Sequence, residues 1–411
     1  MKVRILTNCY PPEIGAAANQ LLELAQALTA AGHSVSVVTR FPRHLPAELR
    51  PKTDGRWLMK EERPEAIVTR INIPLLPRWL PLMRELEHFF NFLLFVIAAL
   101  FSQRSEVTLV YSPPIVVGYA AVCARFFNGS KVVLNVQDLF PQSLIDLGLL
   151  KSKPLIAVSR ILERFLYRKV DHITVMSESN QAIVAKTAGD AAKVSVIYNW
   201  VDTEFIRPEE KNNDFRKQHR LGDKFVLSFA GCIADSQDMD IILGAAKKLE
   251  DEFGILFLLA GNGPKYQETV DKNRALGLKN VLILPIQPRE KYVKLLAASD
   301  VGMITLNPAV ATPVVPSKML SIMSAGRPIL ASLPLTGDAP KFIEKAGSGL
   351  VIKAGDVEAF KAAALKLFRD RALCDQLGKQ GRKWVVDNYS LGVCARKYEE
   401  LFTKVVKNGG K

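Results

Sequence analysis

A chain of 411 residues exceeds the roughly 250–300 at which a single hydrophobic core stops growing, so two domains are expected. With 48% hydrophobic and 23% charged residues and no long biased stretch, the composition excludes a disordered or fibrous chain and fits a folded α/β protein. The formal net charge of +14 asks for an anionic partner, but it is spread over both halves without a basic tail, zinc-finger spacing or RNA-recognition signature, which argues against nucleic acid and leaves phosphorylated small molecules or an anionic lipid surface.

The five cysteines are scattered without any C-x-x-C spacing, so neither a disulfide framework nor a zinc site is expected and a reducing compartment fits. The opening MKVRILTN runs straight into a strand-like segment and then a Pro-Pro turn, unlike a signal peptide, so the expected location is the cytoplasm.

Short runs rich in Val, Ile and Leu alternate with helical patterns, the rhythm of parallel sheets with helices on both faces. The first predicted strand, residues 3–8, feeds the loop Cys9-Tyr10-Pro11-Pro12-Glu13-Ile14-Gly15-Ala16 and a helix with Leu21, Leu24, Ala25 and Leu28 on one face. Gly15 and Ala16 would let a ligand approach backbone amides at the helix start, where a phosphate is favoured; the bland alternative is a tight turn seating helix on sheet. A strand at 35–39 follows.

Next comes Arg78-Trp79-Leu80-Pro81-Leu82-Met83-Arg84, then an apolar run over 89–101. At about 13 residues the run is shorter than the roughly 20 that span a bilayer; it reads either as a segment lying in the headgroup interface or as a buried core helix. Strands at 107–111 and 131–136 come next. From the latter Asn135-Val136-Gln137-Asp138-Leu139-Phe140-Pro141 leaves with an acid, Asp138, that could position an acceptor hydroxyl, take its proton or simply cap a helix. Strands at 173–176 and 194–198 complete the first half. The polar stretch that follows places the domain boundary near residues 203–208.

The second half repeats the rhythm with strands at 225–230, 255–260, 280–284, 300–304, 328–331 and 349–352. The first runs into Gly231-Cys232-Ile233-Ala234-Asp235-Ser236-Gln237-Asp238, and the next into Gly261-Asn262-Gly263-Pro264, whose glycines would allow close approach to a nucleotide. A proline-fixed turn, Thr312-Pro313-Val314-Val315-Pro316, opens a short helix with Ser317 and Lys318 in its first turn, a candidate diphosphate site; a surface lysine is the plain alternative. The expected fold is therefore two doubly wound, Rossmann-like domains over 1–203 and 204–385. A C-terminal helix in 386–411 is free to pack back on the first. Ligands of such sheets bind outside the strands' carboxyl ends, so two facing domains would form a cleft lined by loops of both.

These loops together resemble the retaining GT-B glycosyltransferases of family 4 over nearly the whole chain. The opening YPPEIGAAANQLLELAQALTAAGHSVSVVT resembles that family's Pro-Pro-x-x-Gly-Gly loop, helix and Gly-His turn. VSVIYNWVDTEFIRP is similar to its Asn-Gly-Val-Asp hinge, and LAGNGP, REKYVKLLAASDVGMITL and the Pro-Ser-Lys helix follow in family order. The hinge Trp200, the Gln-Asp-Leu-Phe-Pro loop and Pro-Ser-Lys resemble the branch that transfers fucose or N-acetylfucosamine for capsule, colanic acid or O-antigen. The resemblance implies a donor site at Gly15, Ala16, Gly231, Cys232, Gln237, Gly261, Gly263, Ser317, Lys318 and Ser321, with an acidic or polar catalytic pair at Asp138 and Gln137. The first domain would bind acceptor and the second nucleotide sugar.

The family's E-x7-E glutamates fall on Pro313 and Ser321, its phosphate-loop Arg and Lys on Cys232 and Gln237, and its histidine on Gln137, which leaves Lys318 as the clearest matched cation. The implied chemistry is sugar transfer with retention from a UDP- or GDP-sugar, UDP the more expected, to a lipid-linked saccharide. It would need no cofactor and no metal, and the enzyme would sit peripherally on the inner face of the cytoplasmic membrane. Two other readings share this architecture: a UDP-sugar 2-epimerase, and a non-catalytic nucleotide-sugar-binding partner subunit, the latter motivated by the missing glutamates.

Overall fold

The computed structural model describes residues 1–13, 15–42, 55–72, 81–146, 148, 150–309 and 316–408, without the side chains of 81–88. Ile14, Arg78 to Leu80 and Thr312 to Val315, with the family glutamate position at Pro313, lie outside the described residues, as do the side chains of Pro81 to Arg84. The chain forms two compact units, Met1–Asn199 joined by the stretch from Leu391, and Trp200–Ser390.

The first unit runs β1 (Lys2–Leu6), α1 (Ala16–Ala30), β2 (Ser34–Arg40), β3 (Leu58–Arg63), β4 (Ala66–Ile71), α2 (Pro81–Phe101), β5 (Val107–Ser112), α3 (Ile115–Asn128), β6 (Lys131–Val136), α4 (Gln142–Asp146), α5 (Lys153–Lys169), β7 (His172–Val175), α6 (Glu178–Ala188) and β8 (Val194–Val196). Its eight-stranded sheet has the order β3-β4-β2-β1-β5-β6-β7-β8. Strands β1, β5 and β6 are apolar because helices cover both their faces, and Ile5, Val110, Val132 and Leu134 are fully buried.

The β3–β4 hairpin adds to the expected parallel sheet an edge not foreseen from sequence, since β3 pairs antiparallel with β4. The sequence hides it for a physical reason. Lys60 to Arg63 are four successive charged residues, tolerable because an edge strand keeps much of its surface in water. In β4 the apolar run is interrupted by Arg70, which is nonetheless fully buried.

The second unit runs α7 (Asp214–Gln218), β9 (Phe225–Cys232), α8 (Met239–Lys248), β10 (Ile255–Asn262), α9 (Tyr266–Leu276), β11 (Val281–Pro285), α10 (Arg289–Ala298), β12 (Val301–Thr305), α11 (Lys318–Ser324), β13 (Ile329–Leu333), α12 (Asp338–Ala346), β14 (Gly349–Lys353), α13 (Val357–Arg369) and α14 (Arg371–Tyr389). Its six strands are parallel in the order β11-β10-β9-β12-β13-β14. Phe225, Phe229, Phe257 and Phe360 fill its core. Asp238, Asp356 and Asp370 cap α8, α13 and α14 through backbone N–H groups of the first turn, which fixes where those helices begin.

The closing helix α15 (Leu391–Asn408) belongs to the first unit: the Tyr398 hydroxyl accepts from Asn135 Nδ2 at 2.8 Å, and His33 pairs with Glu399 at 3.0 Å. The division between units falls at Asn199/Trp200, ahead of the expected 203–208. Val201 bridges to Ser390, and Arg382 donates to the carbonyls of Thr203 and Ile206 and to Ser324, so the hinge residues are already part of the second unit. Its other edge is Ser390/Leu391, where Ser390 ends α14, rather than 385/386.

Candidate functional site

In the first unit, the loop between β1 and α1 ends at Gly15, whose φ of +158° and ψ of 162° only glycine adopts readily. Nothing lies within 4 Å of where a Cβ would stand, and Ala16 is exposed beside it. No acidic residue occupies the first turn of α1, so no side chain of that turn neutralises the positive end of the helix.

What holds this loop was not foreseen from sequence. Arg70 donates to the Pro11 carbonyl at 2.5 Å and to Glu61 at 2.6 Å, and the Tyr10 hydroxyl donates to Glu65 at 3.2 Å. The missed hairpin is thus the clamp on the loop. Arg70 and Glu61 sit nine residues apart across its turn, a signal visible only once the hairpin is assigned. Behind the loop, burial raises the Cys9 thiol above its ordinary pKa, and nearby Arg40 opposes this.

At the carboxyl end of β6, Asp138 is exposed, and desolvation raises its carboxyl above the usual value. It is not a helix cap, because α4 starts four residues later, at Gln142. Tyr111, at the end of β5, is raised first by burial and then by the nearby Asp138, Cys9 and Tyr398.

Gln137, the other catalytic candidate, is held among amides. Its amide donates to Asn135 Oδ1 at 2.5 Å and accepts from Asn199 Nδ2 at 3.0 Å, while Asn135 in turn holds Thr174 and Tyr398. An amide carries no titratable proton, and this one braces the end of β6 beneath Asp138. The bonds that Asn135, Asn199 and Tyr398 make here were not visible in the sequence, because partners 62 and 263 residues apart leave no local pattern.

In the second unit, the Lys318 ammonium donates to Gln237 Oε1 at 3.0 Å and lies 4.0 Å from the centroid of the Phe229 ring. No carboxylate pairs with it among the described residues. Burial pushes its pKa down to about 8, the nearby Cys232 acting the other way. Gly231, at φ +143°, gives the lysine its room, since a Cβ there would stand 2.5 Å from Lys318 Cε. Cys232 is exposed beside it, and Ser317, also exposed, begins the short helix α11. Ser321 lies one turn further along that helix, hydrogen-bonded to the half-buried Tyr292.

At Gly261 and Gly263 the backbone meets a neighbouring loop. A Cβ on Gly261 would overlap the Gly231 carbonyl, and one on Gly263 would stand 2.5 Å from the Ile233 carbonyl. Their bare Cα atoms let the loops after β9 and β10 pack together. The structure thus brings Gly231, Cys232, Gln237 and Lys318 into one cluster with Ser317 and Ser321 along the adjoining helix. Among the described residues no group of three or more His, Cys, Asp or Glu could hold a metal ion.

Solved structures share this pair of units. The Anabaena Alr3699/HepE protein in complex with UDP superposes over 98% of this chain and 100% of its own, with a TM-score of 0.73 at 15% identity. The architecture is GT-B, as the sequence resemblance implied. Two family models then cover most of the chain: "Glycosyltransferase Family 4" matches residues 17–205 and "Glycosyl transferases group 1" matches residues 210–384, so the chain belongs to these glycosyltransferases.

Among relatives, the "Putative colanic acid biosynthesis glycosyl transferase WcaI" of Escherichia coli (strain K12) is 26% identical over 342 residues, 79% of this chain and 82% of the relative. The "Probable glycosyltransferase WbjE" of Pseudomonas aeruginosa is 26% identical over 255 residues, 60% of this chain and 62% of the relative.

Proposed function

We propose that the protein transfers a sugar, with retention, from a nucleotide diphosphate sugar to a lipid-linked saccharide during assembly of a bacterial envelope polysaccharide. The observation that carries this reading is Lys318: a desolvated ammonium without a carboxylate partner among the described residues, opened by Gly231 and steadied by Gln237 and Phe229. Such a cation is held ready for an anion that arrives with the substrate.

In the reaction, the bond between the anomeric carbon and the diphosphate oxygen breaks, and the diphosphate leaves with the bonding pair. Lys318 stabilises the charge that develops there, without a metal. The acceptor hydroxyl attacks from the face the diphosphate vacates, and a departing phosphate oxygen takes the hydroxyl proton, so configuration is kept. In the first unit, Gly15 and Ala16 offer backbone N–H groups at the start of α1 to an anionic group, and Asp138 is the side chain we assign to the acceptor hydroxyl.

The WcaI relative supports an envelope polysaccharide as the product, and uridine is the base we assign to the donor. Fucose or N-acetylfucosamine is the sugar we assign. Among the described residues no helix is long and apolar enough to cross a membrane, and we place the enzyme peripherally on the cytoplasmic face.

The test is release of UDP or GDP from a panel of sugar nucleotides, with and without a lipid extract carrying pyrophosphate-linked saccharides, followed by NMR of the product's anomeric configuration. Release that requires the lipid, with an α-linked product from an α-donor, is expected. Acceptor-independent loss of nucleotide with a rearranged sugar would point to epimerisation and overturn the proposal.

A further inference from the structure

Helix α5 buries the wrong face for an ordinary surface helix. Its inward side carries Ile156, Ser159, Glu163, Leu166 and Tyr167, a mixed set that includes a half-buried carboxylic acid. Its most apolar stripe, Leu155, Val158, Ile161, Leu162 and Phe165, points outward, and Ile161 is 67% exposed. The spacing 155, 158, 162, 165 is that of one helical stripe, with Ile161 beside it. Along one edge of that stripe Arg160, Arg164 and Arg168 recur every fourth residue, all exposed, and Lys169 closes its C-terminal end with its ammonium 5.5 Å from the Phe165 ring centroid.

The exposure is not the fraying of a loose helix. The Tyr119 hydroxyl donates to the Leu162 carbonyl at 2.7 Å, and the Tyr119 ring stacks on Phe165 at 6.2 Å. Arg125 donates to the Lys169 carbonyl at 2.9 Å, and Lys193 donates to the Arg168 carbonyl at 2.9 Å. Helix α3 packs between α5 and α2, and its last turn adds Phe126 and Phe127, both about three-quarters exposed.

We infer that α5 is a membrane-docking helix: its stripe of Leu155, Val158, Ile161, Leu162 and Phe165 enters the acyl boundary of an anionic bilayer while Arg160, Arg164 and Arg168 meet lipid phosphates. The choice of a lipid surface over a protein partner rests on charge. The stripe is edged by a row of one sign, which suits a sheet of phosphates, and arginines with long apolar stems place the charge at headgroup level while the stems stay in contact with the chains. The inference deepens the reading of the protein as a peripheral membrane enzyme, and moves the contact from the 79–101 segment that the sequence suggested to a helix 50 residues further along.

The test is co-sedimentation of the full chain with vesicles of phosphatidylcholine alone or mixed with phosphatidylglycerol, at low and high salt. Wild type should bind the anionic vesicles preferentially, and salt should weaken the binding. The triple variant Val158→Gln, Ile161→Gln, Phe165→Gln should lose about tenfold or more in partitioning. Replacing Arg160, Arg164 and Arg168 by Gln should remove the preference for anionic lipid. All these side chains are exposed, so unchanged thermal midpoints will show that the variants fold.

Wild-type binding that the apolar triple variant retains in full would overturn the role of α5 while leaving peripheral attachment intact. No binding by wild type to any vesicle would overturn both. Dimerisation in solution that the triple variant abolishes, without vesicle binding, would make this face a contact between copies instead.

Discussion

Lys318 offers a substitution whose effects on stability and on binding run in opposite directions. A fall in its pKa from 10.5 to about 8 means that keeping the ammonium charged in the folded protein costs about 3 kcal/mol at neutral pH. The Phe229 ring returns about 0.5–2 kcal/mol of that as a cation–π contact. Lys318→Met keeps the stem and removes the charge, so the second unit should gain about 1–2 kcal/mol and unfold about 2–6 °C higher at pH 7.

For a folded-state pKa below the unfolded one, a lysine's penalty is complete below about pH 8 and gone above 10.5. The gain should therefore vanish at high pH. Binding moves the other way: loss of one charge-assisted hydrogen bond to phosphate, about 1.5–3 kcal/mol, weakens affinity for a nucleotide diphosphate by about 10- to 150-fold. Isothermal calorimetry beside a thermal scan reads both. Unchanged nucleotide affinity in a variant of raised midpoint would refute the assignment of Lys318 to the diphosphate.

Wild-type affinity for UDP or GDP should fall as pH rises past about 8, when Lys318 loses its proton, whereas Lys318→Met should show no such step in a pH series of calorimetric titrations. Asp138→Asn should slow turnover by about 100-fold and leave donor affinity unchanged, measured as steady-state kcat beside nucleotide binding. Arg70→Met should cost about 1–3 kcal/mol in the first unit, because it frees the Pro11 carbonyl and leaves Glu61 with Arg63 as its remaining partner, and denaturant unfolding will measure it. His172, buried and bonded to Ser195, is held neutral with its pKa pushed down to about 4 by burial, assisted by Lys404 and Lys193. Its contribution is therefore present above pH 6.5 and lost as pH falls toward 4, so His172→Gln should flatten the acid side of the first unit's stability profile.

The strands that run between covered helices were legible because burial on both faces demands continuous Val, Ile and Leu, as in β1, β9 and β10. The β3–β4 hairpin was not, because its edge position tolerates Lys60 to Arg63 and its one buried cation, Arg70, is neutralised by a partner across the turn. The hinge was placed a few residues late for a related reason: Asn199-Trp200-Val201 reads as a connection, yet Trp200, Val201, Thr203 and Ile206 are buried.

At the candidate site, the glycines at 15 and 231 and the lone charge of Lys318 were legible, because residue type and charge are local properties. What Gly261 and Gly263 pack against was not, since a glycine beside a ligand and one beside a neighbouring carbonyl look alike until the neighbour is known. The bonds of Gln137 to Asn135 and Asn199 were hidden too, because the fold alone draws those partners in.

The most direct test of the central claim is equilibrium binding of UDP, GDP, CMP and ADP and their sugar conjugates to the purified chain, read by thermal shift and calorimetry. Selective stabilisation by a uridine or guanosine diphosphate, lost in Lys318→Met, is the predicted result. No stabilisation by any nucleotide would contradict the account.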